Sequence, residues 1–185
     1  MPFALRPLQI LWVNLVTDGL PGLALSIEPA EKKVMKRPPY PPDENVFGRG
    51  MARQIVWVGI LMGLVSLGVG YYFWSLDPNG NWQTIVFTTL TLSQMGNALA
   101  LRSDRESLFT MGLSSNRSLL NAVLLTFVLQ LAVIYIPFLQ SIFQTRSLSW
   151  QELLISLVLS TIVFWAIEIE KWFKRLADRR KSSAA

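Results

Sequence analysis

Long apolar stretches alternate with short polar segments along the whole chain. Five such stretches are each close to the ~20 residues that a helix needs to cross the hydrocarbon core of a bilayer. The remaining polar residues are too few to cover five apolar stretches in water. The pattern therefore predicts an all-α polytopic membrane protein, a bundle of five transmembrane helices. The predicted spans are residues 3–25, 54–76, 83–102, 118–139 and 151–173, followed by a basic cytoplasmic tail at 177–185.

The composition supports this prediction and narrows the chemistry. Of the 185 residues, 51% are hydrophobic and 16% are charged, whereas an average globular domain has ~25% charged residues. The chain contains no cysteine and no histidine. Disulfides, thiolate metal sites and imidazole ligands are therefore excluded.

The net charge of +5 is distributed in a way that argues against nucleic-acid binding. Fifteen of the 17 lysine and arginine residues fall within 32–53, 102–117 and 171–181. These segments follow the first, third and fifth predicted spans, so every second connection is rich in basic residues. This alternation is the pattern of the positive-inside rule, with the lipid bilayer as the partner. We expect the C-terminus to be cytoplasmic and the N-terminus to lie on the outer or lumenal side. Near the end of the last span, Glu168 and Glu170 lie beside Lys171, and we expect an interfacial charge cluster whose members pair or snorkel.

The first span carries polar residues that a purely apolar helix would not need. At 100° per residue, Asn14, Thr17 and Asp18 fall within an arc of roughly 100°. An aspartate in the middle of a bilayer costs on the order of 2.5–3.5 kcal/mol. No lysine or arginine lies between Arg6 and Lys32 to neutralise it. An unpaired carboxylate within a membrane is by default a hypothesis of a functional site.

The acceptor atoms of these side chains are all oxygens, which suit a hard cation such as Ca²⁺, Mg²⁺ or Mn²⁺, or an alkali ion. Gly19 and Pro21 should interrupt the helical hydrogen bonds just beyond Asp18, as in the broken helices of transporters. The polar set and the break together predict one cation site. The alternative is that Asp18 is protonated or pairs with a neighbouring helix and serves only to hold helices together.

The ligand count shows that this site is incomplete. Calcium takes 6–8 oxygen ligands, and Asn14 with a bidentate Asp18 supplies about three. The third span offers Gln94, whereas its threonines, among them Thr88 and Thr91, are expected mainly to form hydrogen bonds between helices. Another helix must therefore complete the coordination.

The segment LRPLQILWVNLVTDGLPGLALSIEP closely resembles the sixth membrane helix of P-type ATPases of the calcium-pump branch. The pattern W-x-N-x-x-x-D-G-x-P-x-x-A-L carries this resemblance, and TLTLSQMGNALALRSDRESLF resembles the eighth helix and the loop after it. The five predicted spans then match the family's sixth to tenth helices, and residues 1–176 match its C-terminal transmembrane domain.

The resemblance implies roles for individual residues. It implies that Asn14 and Asp18 ligate a transported ion, with Ca²⁺ preferred and Mn²⁺ or Na⁺ possible as alternatives. Thr17 matches a position that contributes to a second site in pumps with two sites. Gln94 stands where such pumps have a glutamate, so the neutral amide favours transport of one ion.

The family's phosphorylated motif D-K-T-G-T is absent from the sequence. The resemblance therefore implies that the chain is no enzyme by itself, and that ATP and Mg²⁺ act only in the full-length pump. We expect the missing N-terminal part of the pump, in the same or a separate chain, to be the partner. The alternative is a non-catalytic helical membrane subunit, or a relic of a pump, with a structural role.

Overall fold

The computed structural model describes residues 3–28, 51–103, 107–112 and 115–183. Within these ranges the regular structure is helical throughout, so the predicted all-α fold is confirmed. The proline-rich segment that follows the first predicted span lies at 29–50, outside the described residues. The elements are α1 (Pro7–Trp12), a π-helical segment (Val13–Asp18), α2 (Gly19–Ser26), α3 (Met51–Leu76), α4 (Trp82–Ala100), α5 (Leu108–Met111), α6 (Arg117–Tyr135), α7 (Pro137–Phe143) and α8 (Trp150–Ser183).

Among the residues that the structure describes, four helical stretches are long and apolar enough to cross a membrane, namely Pro7–Ser26, Met51–Leu76, Arg117–Tyr135 and Trp150–Leu176. The chain is thus an integral, multi-pass membrane protein. The third predicted span corresponds to α4, which is not among the four. Its role as a fifth span stays a prediction.

The central position of α4 explains its polar composition. It packs against α3, α6, α8 and the N-terminal helix, which we define as the continuous rod Pro7–Ser26. Most of its side chains are buried, including the hydroxyl groups of Thr88, Thr89 and Thr91. A helix enclosed by other helices can carry polar residues because few of them meet lipid.

The N-terminal helix is irregular in a different place from the one predicted. Gly19 and Pro21 do not interrupt it, since α2 runs through both, and the irregularity lies upstream in the π-helical segment. Pro21 has no N–H, and its ring crowds the carbonyl four residues earlier, which is that of Thr17. The widened turn over Val13–Asp18 accommodates this conflict without ending the rod.

The fourth predicted span ends earlier than expected. Helix α6 stops at Tyr135, Ile136 is extended, and Pro137 begins the separate helix α7. The residue before a proline is disfavoured in the helical conformation, whereas proline itself fits the first position of a helix. At the other end of the chain, α8 continues to Ser183, so the backbone of the predicted tail prolongs the last helix as far as that residue.

Candidate cation site

The π-helical segment turns Thr17 into the bundle. Its side chain is only 1% exposed, and its hydroxyl lies 2.6 Å from the carbonyl oxygen of Val13. In an α-helix this carbonyl would accept from the N–H of Thr17, whereas in a π-helix that N–H bonds to the carbonyl one residue further back along the chain. The hydroxyl therefore lies against a backbone carbonyl at the point where the turn widens.

Thr17 also meets α4 at this level. Its Oγ1 lies 2.5 Å from Oε1 of Gln94, which is half-buried. A hydroxyl has one proton, so it can donate to Val13 or to Gln94 but not fully to both. The contact therefore places three oxygen acceptors, those of Val13, Thr17 and Gln94, around one hydroxyl proton in the interior of the bundle. The predicted pair of Thr17 and Gln94 is thus adjacent in the structure.

Asn14 and Asp18 lie on the part of the N-terminal helix that no described helix covers. Both residues are exposed, and neither side chain has a hydrogen-bond or ion-pair partner among the described residues. Their neighbours on this surface, Leu11, Leu15 and Leu23, are exposed apolar residues. A carboxylate on an apolar face of a membrane helix is costly unless another molecule or segment neutralises it.

The described residues alone do not form a complete metal site. In this part of the chain, no three acidic, histidine or cysteine side chains come together. The structure joins Thr17 to Gln94 and leaves Asn14 and Asp18 open to whatever covers their face. Pro21 lacks the N–H that would pair with the carbonyl of Thr17 in a regular α-helix.

The threonines of α4 behave differently from the prediction. No hydrogen-bond partner for the hydroxyls of Thr88 and Thr91 lies within the described ranges. The hydroxyl of Thr84 accepts from the backbone N–H of Arg146, at 3.0 Å, in the connection before α8. The expectation of hydrogen bonds between helices is therefore wrong for Thr88 and Thr91 within the residues that the structure describes.

Sequence reasoning missed a second polar cluster, at the C-terminal end of the N-terminal helix. The guanidinium of Arg102 holds the carboxylate of Glu28 through both Nε and Nη2, with the shortest contact at 2.7 Å. Asn116 donates to the same carboxylate at 2.5 Å. The only signal in the sequence was a charged residue directly after the apolar stretch of α4, and it was counted there only as a basic residue near a membrane surface.

Comparison with known proteins decides the family. A sequence model of the family described as cation transporting ATPase, C-terminus, matches residues 2–173. The chain belongs to this family. As the resemblance implied, the matched region includes all four candidate residues, and the matched domain is the C-terminal one.

The relatives of this ATPase C-terminal domain are much longer proteins. It is 37% identical over 91% of its length to Calcium-transporting ATPase 1 of Yarrowia lipolytica, covering 18% of that protein. It is 41% identical over 80% of its length to the Calcium-transporting ATPase of Bacillus subtilis, covering 17%. For the human Calcium-transporting ATPase type 2C member 1, the identity is 35% over 96% of the chain and 20% of the relative. The chain thus spans about a fifth of the length of these relatives.

Proposed function

We propose that this domain is the ion-binding membrane part of an ATP-driven calcium pump. The observation that carries the proposal is the pair of unpartnered oxygen-bearing side chains, Asn14 and Asp18, on a membrane helix beside the oxygen-rich contact of Thr17 with Gln94. Oxygen ligands that include a carboxylate suit Ca²⁺. The names of the relatives, calcium-transporting ATPases, favour this ion over Mn²⁺ and Na⁺.

In this proposal Asp18 supplies the charge and Asn14 supplies a neutral oxygen ligand. Thr17 and Gln94 lie behind them and contribute weaker, neutral oxygens. The remaining ligands come from the part of the pump outside this chain, on helices that cover the open face of Asn14 and Asp18. The single carboxylate and the neutral Gln94 favour the transport of one ion per cycle.

The basic residues support an orientation for the pump. Glu28, Arg102 and Asn116 meet at one end of the bundle, and Lys171 contacts the carbonyl of Ala100 at the same end of α4. The connections rich in basic residues therefore share this end, which we assign to the cytoplasm by the positive-inside rule. The N-terminus of the chain then lies on the outer or lumenal side, and the C-terminus is cytoplasmic.

Within such a pump this domain performs no phosphoryl transfer. The catalytic part, in the same or a separate chain, binds ATP and Mg²⁺ and becomes phosphorylated. Phosphorylation alternates the access of the ion site between the two sides of the membrane. The residues of this domain bind the ion, and their occupancy controls whether the catalytic part can react with ATP.

The proposal is tested in the pump assembled with its catalytic part, by measuring phosphorylation from ATP as a function of Ca²⁺. We expect Asp18→Asn to abolish calcium-dependent phosphorylation while the protein is still expressed, because the site loses the one charged ligand that we assign to this domain. The matched control is Asp77→Asn, which removes a carboxylate that accepts from the N–H of Asn79 in the turn after α3. This control should behave like the wild type.

Phosphorylation from inorganic phosphate without Ca²⁺, the reverse of the hydrolytic step, reports separately that the catalytic part is folded. Retention of this reaction in Asp18→Asn, together with loss of the reaction with ATP, supports the proposal. A normal calcium dependence in Asp18→Asn would remove the site assignment. An assembled wild-type pump that reacts with inorganic phosphate but shows no calcium dependence would instead support a structural subunit.

A further inference from the structure

The Arg102 cluster, consisting of Glu28, Arg102, Gly112, Ser115 and Asn116, joins three parts of the bundle. Arg102 follows α4, Glu28 follows α2, and Asn116 is the N-cap of α6, where its Oδ1 accepts from the N–H of Leu119 at 2.9 Å. The guanidinium also donates to the carbonyl of Gly112 at 3.0 Å and to the hydroxyl of Ser115 at 2.5 Å. One side chain thus ties the end of the N-terminal helix to α4 and to the start of α6.

The ion pair at the centre of the Arg102 cluster is largely buried, and its polar groups have hydrogen-bond partners. The side chain of Arg102 is 2% exposed and that of Glu28 is 13% exposed. The amide of Asn116 bridges Glu28 and the carbonyl of Ala24, so the last turn of α2 is held as well. A buried arginine that binds a carboxylate through two nitrogens fixes direction as well as distance, because its planar fork has a rigid geometry.

The same two helices also touch at the candidate cation site. Thr17 contacts Gln94, and Glu28 contacts Arg102, so the N-terminal helix and α4 are connected at two levels. Gln94 and Arg102 are eight residues apart, or about 12 Å along a helix at 1.5 Å per residue. Two connections at different levels prevent one helix from sliding or rotating along the other, whereas a single connection would leave both motions possible.

We propose that Arg102 is a positioning residue for ion binding. By holding Glu28, it fixes the height and rotation of the N-terminal helix relative to α4, and hence where Asn14 and Asp18 present their oxygens. This inference rests on the proposed function and extends it to residues that do not touch the ion. Arg102 itself is no ligand, since a cation binds oxygen atoms and a guanidinium has none to offer.

The effect of Arg102 on ion affinity can be separated from its effect on stability. Removing one member of a buried ion pair leaves the other charge unpaired and destabilises a protein, whereas removing both is often nearly neutral. Arg102→Met should therefore impair folding and binding together. The double variant Glu28→Gln/Arg102→Met has no unpaired charge left in the pair but still lacks the rigid connection, so it should recover stability without recovering affinity.

The experiment measures half-maximal Ca²⁺ for phosphorylation from ATP in the assembled pump. In the double variant we expect this concentration to rise about tenfold, because small displacements of a bound geometry have large effects. The maximal phosphorylation level should stay within about twofold of the wild type, because the ligands themselves are intact. Arg102→Lys, which keeps the charge but loses the fork, should give an intermediate shift.

A second buried ion pair provides a matched control. Lys171 and Glu168 on α8 are 3.4 Å apart, and they contact Ala100 at the end of α4, Ser107 in the connection that follows, and Leu108 at the start of α5. The double variant Glu168→Gln/Lys171→Met removes a pair of similar burial without touching the contact of Glu28. Its half-maximal Ca²⁺ should equal that of the wild type.

The outcomes separate this inference from the proposed function. A raised calcium requirement in Glu28→Gln/Arg102→Met, with none in Glu168→Gln/Lys171→Met, supports the positioning role. An unchanged requirement in the Arg102 double variant, or an equal rise in both double variants, overturns it while the calcium dependence of the wild type stands. If the wild-type pump shows no calcium dependence, the proposed function itself fails.

Discussion

Two polar regions of this bundle are built in opposite ways. At the charged end, Glu28 accepts from Arg102 and Asn116, and Glu168 accepts from the hydroxyl of Ser107 and the N–H of Leu108. At the middle of the N-terminal helix, the side chains of Asn14 and Asp18 have no such partner in the part of the chain that the structure describes. The first region satisfies its polar groups within the chain, and the second leaves them unsatisfied.

This difference distinguishes carboxylates that hold helices together from the carboxylate that we propose binds the transported ion. A carboxylate that faces the hydrocarbon of a membrane without a partner is costly, so we expect Asp18 to meet a partner that lies outside the described residues. The paired carboxylates at the charged end position helices. In the proposed pump, the unpaired carboxylate at the middle binds an ion, which arrives with its own positive charge.

The largest effect should come from breaking a satisfied pair. Lys171→Met leaves the carboxylate of Glu168 buried without its cation, and we expect the free energy of unfolding to fall by about 3 kcal/mol. Thermal unfolding in detergent, followed by loss of helix, measures this. The control is Lys174→Met, whose partner Glu170 lies 2.9 Å away but whose side chain is 37% exposed, so the loss should stay below about 1 kcal/mol. Equal losses in both variants would show that burial of the pair is unimportant.

At the middle of the N-terminal helix, the loss should appear in binding and leave stability unchanged. Asn14→Ala removes one oxygen ligand, and we expect half-maximal Ca²⁺ for phosphorylation to rise about tenfold, equivalent to about 1.4 kcal/mol. Its unfolding temperature should match that of the wild type, because Asn14 contacts no described partner. Leu15→Ala, the adjacent exposed residue, is the control and should leave the calcium requirement unchanged. A destabilised Asn14→Ala with normal calcium affinity would assign Asn14 to packing.

A smaller effect is expected from pH at the charged end. Partial burial acts to raise the pKa of Glu28, but the hydrogen bonds from Arg102 and Asn116, and the charge of Arg102, outweigh it and hold this pKa below its ordinary value of 4.5. The ionised carboxylate therefore stabilises the fold above pH 4.5, and this contribution is lost as the pH falls through the lowered pKa.

Unfolding of the wild type and of Glu28→Gln, compared between pH 7 and acid, measures the contribution of Glu28. The difference between the two proteins should be constant at neutral pH and should shrink below pH 4.5. A difference that grows in acid would mean that Glu28 is protonated in the folded protein.

The smallest effect should come from Gln94→Ala. Thr17 can still donate to the carbonyl of Val13 when Gln94 is removed, so we expect calcium affinity to fall by less than about threefold, or under 1 kcal/mol. The calcium dependence of phosphorylation measures it, with Gln83→Ala, a glutamine at the start of the same helix, as the control. A loss as large as that of Asp18→Asn would show that Gln94 is a principal ligand.

The sequence predicted the features that follow from local patterns. Apolar stretches such as Val56 to Trp74 revealed the helices, and the polar set around Asp18 revealed the candidate site, because charge within a membrane helix is rare. The pattern could not show that α4 lies at the centre of the bundle. Its threonines predicted hydrogen bonds between helices, and only packing against α3, α6 and α8 explains why they are tolerated.

Other features depended on contacts between distant residues. Gly19 and Pro21 predicted a break just beyond Asp18, but where a helix relaxes depends on the neighbours of each turn, and here the widened turn lies at Val13–Asp18. The pairing of Glu28 with Arg102 joins residues 74 positions apart. Nothing in the local sequence distinguishes such an arginine from one that faces lipid headgroups.

The central claim is that the carboxylate of Asp18 holds a calcium ion. Equilibrium binding of radioactive calcium to the assembled pump, without ATP, tests it most directly, with Asp77→Asn as the control. The account predicts saturable binding in the wild type and in the control, and none in Asp18→Asn over the same range of calcium concentrations. Binding of the same affinity and stoichiometry in Asp18→Asn would contradict it.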